Sequence, residues 1–219
     1  MVLIEERLHS IIDKYEAKDF SYFFKTLDGF SEEMLKLHYG LYEGYIKATN
    51  KVNDKLKTAD RSSSHHNISE YRSLLVELSH NLNGVILHEL YFSNLTDKYT
   101  EPTESFKTII ERDFGSWDSY LEDVKAAGMA SRAGWAITGY NYRDGKIHNF
   151  AIDQHNLHVP VFVRPLLILD TWEHAYTTDY GTDKKSYIDA FMENVNWHVV
   201  SLRFESALKA ESCHEKAEE

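Results

Sequence analysis

Two long segments with helical periodicity, separated by a short polar stretch, constrain the fold of this chain most strongly. The first begins at Ser31 and runs to about residue 56, and the second runs from about Ser69 to Ser93. In both segments apolar residues recur every three or four positions, as they do in amphipathic helices. Residues 59–67 between them are polar and predict a turn. The two segments therefore predict an antiparallel α-hairpin.

The second half of the chain has a mixed pattern that begins after Pro102, where a linker is predicted. It predicts two short helices, two strands around a hairpin turn, a third and more buried strand, and a final helix. These segments are residues 104–113, 116–127, 133–140, 146–152, 166–169 and 185–206, and one further helix is expected at residues 3–16. Gly128 is expected to end the second short helix as a C-cap. We expect a hairpin domain over residues 1–101 and a mixed domain over residues 102–219.

The composition excludes several classes of protein. The net charge is −11 and the pI is near 5.5, whereas nucleic-acid binding needs clustered Lys and Arg to neutralise phosphates. No segment reaches the roughly 18 apolar residues of a membrane span, and Met1–Tyr15 lacks the apolar centre of a signal peptide. A single cysteine, Cys213, excludes an internal disulfide. We expect a soluble cytoplasmic protein that binds neither nucleic acid nor membrane.

A carboxylate and an imidazole at the end of an apolar run predict half of a metal site. Leu166–Leu169 leads directly to Asp170, and His174 follows four residues later. A carboxylate carried into the interior must be paired or bound to a metal, because its desolvation is costly. Histidine is the commonest metal ligand in proteins. Two more histidines, His38 and His88, lie on the apolar faces of the predicted hairpin helices, and those faces can meet.

A single histidine on an apolar face is more often a core residue than a ligand, so the argument depends on the combination. Three histidines and one carboxylate form a mixed donor set that suits Fe or Mn and leaves one coordination position open. A mononuclear non-haem iron oxygenase with two histidines and a carboxylate is a rival interpretation. It needs room for an organic substrate, which four ligands and bulky aromatic neighbours do not leave.

Six segments, in order along the chain, resemble the motifs of the iron/manganese superoxide dismutase family, and the match covers roughly residues 28–206. The segments are residues 35–40 around His38, His88–Leu95, Ala133–Trp135, Asp153–Asn156, Asp170–Tyr176 and Asn194–Trp197. The resemblance implies an α+β fold that agrees with the pattern above. An N-terminal long α-hairpin is followed by a mixed domain with a three-stranded antiparallel sheet and helices.

The same resemblance implies that the chain is a superoxide dismutase, which disproportionates superoxide to dioxygen and hydrogen peroxide at a mononuclear Mn or Fe centre. The implied ligands of the ion are His38, His88, Asp170 and His174. A catalytically silent, metal-binding or structural member of the same fold is the alternative, although the sequence retains all the ligands. A superoxide assay on metal-replete protein distinguishes these interpretations.

Two residues are expected to control the supply of protons. Gln154 resembles the glutamine that hydrogen-bonds the metal-bound solvent in the family, and Tyr45 resembles the gateway tyrosine of the proton relay. Members that prefer iron usually carry that glutamine four residues before the second ligand, where this chain has Gly84, so manganese is favoured. Tyr45 follows His38 by seven residues, one fewer than in many members, and Tyr42 is therefore the alternative gateway residue.

The resemblance also assigns residues to the pocket walls, the subunit interface and the path of the substrate. Trp135 and Trp172 resemble the hydrophobic walls of the metal pocket, whereas Trp197 is expected in the core. Glu173 resembles the glutamate that reaches the ligand histidine of a second subunit, which implies a homodimer or a tetramer of dimers. Arg203 is the candidate for steering superoxide to a site in a chain of net negative charge.

Overall fold

The structure, a computed structural model, describes the backbone of residues 14–218 and the side chains of residues 14–211. The helix predicted at residues 3–16 lies mostly outside this part of the chain, and its described end, from Tyr15 on, has no regular secondary structure. Tyr15 is hydrogen-bonded through its backbone to Asn50, in the long helix Glu32–Thr58. Its N–H donates to Asn50 Oδ1 and its carbonyl accepts from Asn50 Nδ2, both at 2.9 Å.

The predicted α-hairpin is confirmed as helices α1 (Glu32–Thr58) and α2 (Glu70–Ser93). The residue before each helix is a serine that caps it. The hydroxyls of Ser31 and Ser69 accept hydrogen bonds from the backbone N–H three residues later, at 3.0 and 2.9 Å. These bonds satisfy donors that the first turn of a helix leaves without intrahelical partners. Local sequence therefore sets where both helices begin.

The second half contains an antiparallel sheet with strand order β2-β1-β3, and helices pack around it. Its elements are α3 (Glu104–Phe114), α4 (Trp117–Ala130), β1 (Gly134–Asn141), β2 (Lys146–Asp153), β3 (Val163–Asp170), α5 (Thr177–Tyr180), α6 (Lys184–Glu193) and α7 (Trp197–Glu218). A short 3₁₀ turn at Glu173–Ala175 follows β3. The predicted α+β fold class is confirmed.

The sheet brings two distant residues side by side. Trp135 on the central strand β1 is opposite Asp170 at the end of β3. The apolar run Leu166–Leu169 is fully buried, so β3 carries Asp170 into the interior. Pro165 lies in the first half of β3, and it is tolerated there because β3 is an edge strand.

Two expectations from the sequence are wrong in detail. Gly128 does not end its helix, because α4 continues to Ala130; a Cβ at Gly128 would lie only 2.7 Å from Leu169 Cδ2, so the glycine allows close packing of the helix on the sheet. The single helix expected at residues 185–206 is divided between α6 and α7. The break arises where Val195 pairs with Leu95 in an isolated β-bridge.

None of the helices in the described part of the chain is long and apolar enough to cross a membrane. The division of the chain into domains at residues 101 and 102 stays a prediction, as does the cytoplasmic location.

Candidate metal centre

Three imidazoles and one carboxylate meet where the hairpin packs against the sheet. One ligand atom from each lies within 4.8 Å of all the others, and the residues are His38 on α1, His88 on α2, Asp170 at the end of β3 and His174. Nε2 of His38 is 3.0 Å from Asp170 Oδ2. Nε2 of His174 is 3.2 Å from the same oxygen, and Nε2 of His88 is 3.8 Å from it. The predicted convergence of these residues is confirmed.

Hydrogen bonds from outside the cluster hold the ligands in place. His88 Nδ1 lies 2.6 Å from the backbone carbonyl of Gly84, so Nδ1–H donates there and Nε2 faces the cluster. The backbone N–H of Trp172 donates to Asp170 Oδ1 at 2.9 Å. The Tyr187 hydroxyl donates to the Asp170 carbonyl at 2.8 Å. Asp170 is therefore held both at its side-chain carboxylate and at its backbone carbonyl.

The electrostatics of the cluster keep three of the ligands in their metal-binding form. Burial by itself would raise the pKa of Asp170, but His174 and His38 outweigh it, and the net pKa falls below the usual value. Burial lowers the pKa of His38 and lowers that of His88 well below the usual value. At neutral pH the carboxylate is charged and these imidazoles are neutral, as metal binding requires.

This donor set fits an iron or manganese ion. His88 Nε2 is buried and has no hydrogen-bond partner among the described residues. A buried polar atom without a partner is rare and costly, and a cation in the cluster would satisfy it. Neutral imidazoles combined with one carboxylate suit both metals.

A line of hydrogen bonds runs beside the ligands. Trp135 Nε1–H donates to His155 Nδ1 at 3.0 Å, and His155 Nε2 is 2.8 Å from Tyr45 Oη. His155 is fully buried. The rings of Trp135 and Tyr45 lie 5.0 and 5.2 Å from the ring of His88, centroid to centroid. The line therefore ends next to a metal ligand.

The donor chemistry of this line determines the tautomer of His155. An indole N–H can only donate, so His155 Nδ1 accepts from Trp135 and carries no proton. Burial lowers the pKa of His155 to about 4, so at neutral pH the ring is neutral and its one proton is on Nε2. His155 therefore donates to Tyr45 Oη. Burial raises the pKa of Tyr45, and the charge of Asp170 adds to the effect, so Tyr45 keeps its own proton.

The structure does not bring Gln154 into this line. Its side chain is exposed, and its backbone has a φ of +57°, which turns the chain so that the next residue, His155, enters the site. The prediction of a catalytic Gln154 thus finds no support in its position. Sequence reasoning missed His155, for which there was one signal: an imidazole in the same motif, directly after Gln154.

Tyr45 and Tyr42 have different surroundings. Helix α1 is regular, so Tyr45 lies two turns after His38 on the same face. Gly84 leaves space for its ring, because a Cβ at Gly84 would be 2.8 Å from Tyr45 Cγ. The Tyr42 hydroxyl instead donates to Glu89 Oε1 at 3.1 Å. Of the two tyrosines, Tyr45 is the one bonded to His155.

The remaining aromatic residues and Glu173 lie as follows. Trp172 stacks on His174 with ring centroids 5.9 Å apart and planes at 17°, so it forms a wall of the centre together with Trp135. Trp197 is partly buried and packs on Trp117, with ring centroids 4.9 Å apart, against the edge of the core. Glu173, next to the ligand His174, is exposed.

Arg203 occupies a structural position between α2 and β3. Its guanidinium donates to the Leu166 carbonyl at 2.6 Å and the Leu90 carbonyl at 3.1 Å, and it also bonds Asn94 and Ser93. Burial lowers its pKa to about 10. These bonds join the end of α2 to β3. The expected steering of superoxide by Arg203 finds no support in this geometry.

Comparison with known proteins agrees with this geometry. Residues 14–96 match the alpha-hairpin domain, and residues 102–203 the C-terminal domain, of iron/manganese superoxide dismutases. A protein of Aquifex pyrophilus named as an iron superoxide dismutase is 44% identical over 191 residues, which cover 85% of this chain and 89% of the relative. One of Aquifex aeolicus with the same name is 43% identical over the same shares of both chains. A manganese superoxide dismutase of Halobacterium salinarum is 31% identical, over 90% of this chain and 98% of the relative.

Proposed function

The chain belongs to the iron/manganese superoxide dismutase family, and we propose that His155 and Tyr45 control the supply of protons to its reaction. The enzyme converts two superoxide ions and two protons to one dioxygen and one hydrogen peroxide. One observation carries the proposal: the line of hydrogen bonds from Trp135 through His155 to Tyr45 ends beside the ligand His88.

The three imidazole nitrogens and the Asp170 carboxylate oxygen would hold one iron or manganese ion. When bound, the ion supplies one-electron redox chemistry, taking an electron from one superoxide and giving it to the next. The residues around it hold the ligands in a fixed arrangement. The bonds from Trp172 and Tyr187 to Asp170, and from His88 to Gly84, perform this task.

Tyr45 is the proton donor in this proposal. Its Oη accepts from His155 Nε2–H, so its own O–H is free to point at a reduced oxygen species near the ligands. Once Tyr45 has given up that proton, the His155 N–H would stabilise the phenolate through a charge-assisted hydrogen bond. Because Tyr45 is only partly buried, water can return the proton. His155 acts by holding and stabilising Tyr45.

The experiment for this proposal is Tyr45→Phe in metal-loaded protein, followed by stopped-flow removal of superoxide. We expect kcat to fall roughly tenfold or more, because general-acid catalysis is lost, while the metal content is unchanged. Tyr42→Phe is the matched control, since its hydroxyl bonds Glu89 outside the cluster. Equal losses in the two variants would contradict the role of Tyr45.

We further propose that iron supports activity at least as well as manganese. The expected preference for manganese depended on a Gln154 side chain at the centre, and that side chain is exposed. The relatives at 44% and 43% identity are named as iron enzymes. Metal-free protein reloaded separately with each metal tests the proposal through activity per bound ion. Higher activity with manganese would reinstate the original expectation.

The subunit arrangement is a separate proposal. Glu173 is exposed directly beside the ligand His174, so its carboxylate is free to meet the partner subunit's His174 across a two-fold axis. Light scattering measures the assembly. We expect at least a dimer, and Glu173→Ala should weaken it and release metal. Monomeric native protein would contradict the proposal, and a tetramer would agree with two such dimers.

A further inference from the structure

We propose that Asn83 is a positioning residue that keeps His155 in line with Tyr45 and Trp135. Asn83 lies on α2, and its Nδ2 donates to the backbone carbonyl of His155 at 2.9 Å. The inference rests on the role proposed above for His155. His155 lies in a loop, and its two ring nitrogens can bond Trp135 and Tyr45 only if its backbone is held in place.

The loop of residues 154–162, called here the β2–β3 loop, needs such support. Three of its non-glycine residues have a positive φ: Gln154 at +57°, His158 at +63° and Phe162 at +63°. L-residues adopt this region rarely, because the side chain crowds the backbone. A backbone of this kind persists only where surrounding contacts over-determine it. Its conformation therefore depends on tertiary hydrogen bonds.

Helix α2 supplies one of these bonds from Asn83, in the helical turn that also orients the metal ligand His88. Asn83 directly precedes Gly84, whose carbonyl orients the ring of His88. The Asn83 amide thus joins the backbone of His155 to the helix that positions the ligand. Without that bond the carbonyl of His155 would turn to water, and the loop could move relative to Tyr45. The ring nitrogens of His155 would then lose their alignment with both partners.

A second bond between α2 and the same loop provides a matched control. Asn156 Nδ2 donates to Ser79 Oγ at 2.8 Å, one turn before Asn83, at an exposed position. This is also a hydrogen bond from an Asn side-chain amide to an oxygen, but it does not involve the backbone of His155. Loss of this bond tests whether tethering the loop in general is sufficient.

The variant Asn83→Asp isolates the donor. It keeps the size of the side chain and places an oxygen against the carbonyl of His155. An alanine would be less decisive, because Asn83 lines an apolar cavity of about 100 Å³ with Leu87 and Leu90, and water could occupy the added space and donate instead. Asn83→Leu, which fills about the same space without a donor, replaces Asn83→Asp if that variant does not fold.

The experiment uses the full chain with two readouts. In zinc-loaded protein, which is diamagnetic, the indole N–H resonance of Trp135 reports its hydrogen bond to His155 and is identified with Trp135→Phe. In iron-loaded protein, kcat is measured by stopped flow. We expect Asn83→Asp to move the indole resonance upfield and to lower kcat about fivefold, the equivalent of one hydrogen bond, at unchanged metal content. Asn156→Ala should change kcat less than twofold.

The outcomes separate the two proposals. An unmoved Trp135 resonance in folded, metal-loaded Asn83→Asp would overturn the positioning role. Equal changes in Asn83→Asp and Asn156→Ala would also overturn it, because any tether of the loop would then serve. A moved resonance with an unchanged kcat would support the positioning role of Asn83 and contradict the role of His155 in the reaction.

Discussion

The α-hairpin delivers two imidazoles to the centre and the β2–β3 loop places a third beside it, by different physical means. In the hairpin, regular helices with serine caps carry His38 and His88 on their buried faces. In the loop, the positive φ of Gln154 turns the chain toward the interior. Hydrogen bonds with Asn83, Trp135 and Tyr45 then hold His155 in its buried position.

The difference concerns which interactions determine a side chain's direction. A helix fixes direction through its own period, so residues spaced by whole turns share a face wherever the helix packs. A loop has no period, and direction depends on contacts with residues far away in the sequence. A substitution in the hairpin should therefore act through packing, whereas one in the loop should act through single hydrogen bonds.

The largest effect is expected for Asp170→Ala, which removes the one charged ligand from a regular strand. The buried histidines would lose the carboxylate that lies 3.0 to 3.8 Å from them, and metal affinity should collapse. We expect no retained metal and background activity, measured by elemental analysis and a superoxide assay. Asp153→Ala, at the end of β2, the other edge strand of the sheet, is the control. Full metal content in Asp170→Ala would refute the assignment of the centre.

The second prediction concerns the two adjacent loop residues. His155→Ala should lower activity roughly 10- to 100-fold, as is usual when a partner outside the ligand set is lost. Gln154→Ala should change activity less than twofold, because the Gln154 side chain is exposed. Activity per bound metal is the measurement for both. The reverse order of effects would show that Gln154 works at the centre, and would break the contrast between loop and hairpin.

The third prediction concerns pH and the stability of metal-free protein. The pKa of His155 is about 4 in the fold against 6.5 when free, because burial disfavours the charged ring. Below pH 6.5 the His155 ring takes up a proton in the unfolded chain but not in the folded chain. The contribution of His155 to the free energy of unfolding is therefore fully present above pH 6.5 and is lost as the pH is lowered toward 4. The loss from this group is about 3 kcal/mol.

Comparison with His155→Gln isolates that contribution from those of other buried histidines. Urea unfolding at several pH values gives the free energy of unfolding of both proteins. The advantage of the native protein over the variant should shrink by about 3 kcal/mol between pH 7 and pH 4. A difference that stays constant over this range would mean that His155 is not held neutral by burial.

The smallest effect is expected within the hairpin. Gly84→Ala places a Cβ 2.8 Å from Tyr45 Cγ, so the ring must move, and we expect a loss of about 1–3 kcal/mol of stability together with reduced activity. Gly44→Ala on α1 meets nothing within 4 Å and should stabilise the helix by up to about 1 kcal/mol. Thermal unfolding of both variants measures this. A stabilising Gly84→Ala would show that Tyr45 is not packed against α2.

Much of the fold and the ligand set could be predicted from the sequence. The periods of α1 and α2 and the apolar run before Asp170 are local signals that predicted the hairpin and the buried carboxylate, and the resemblance of six segments to the family motifs completed the set of four ligands. Details that depend on distant partners could not be predicted this way. Gly128 allows α4 to approach Leu169, and the bridge between Leu95 and Val195 interrupts the last predicted helix.

The same division applies to the residues around the ligands. The sequence by itself determined that two imidazoles lie on helical faces and that a carboxylate follows a buried strand, because helix and strand periods are local properties of the backbone. That these groups meet in one site was implied by the family resemblance. Only the tertiary structure decided that His155 and not Gln154 contacts Tyr45, and that Arg203 holds α2 to β3. Those outcomes depend on a positive φ and on hydrogen bonds between residues far apart in the chain, whose energies no local pattern encodes.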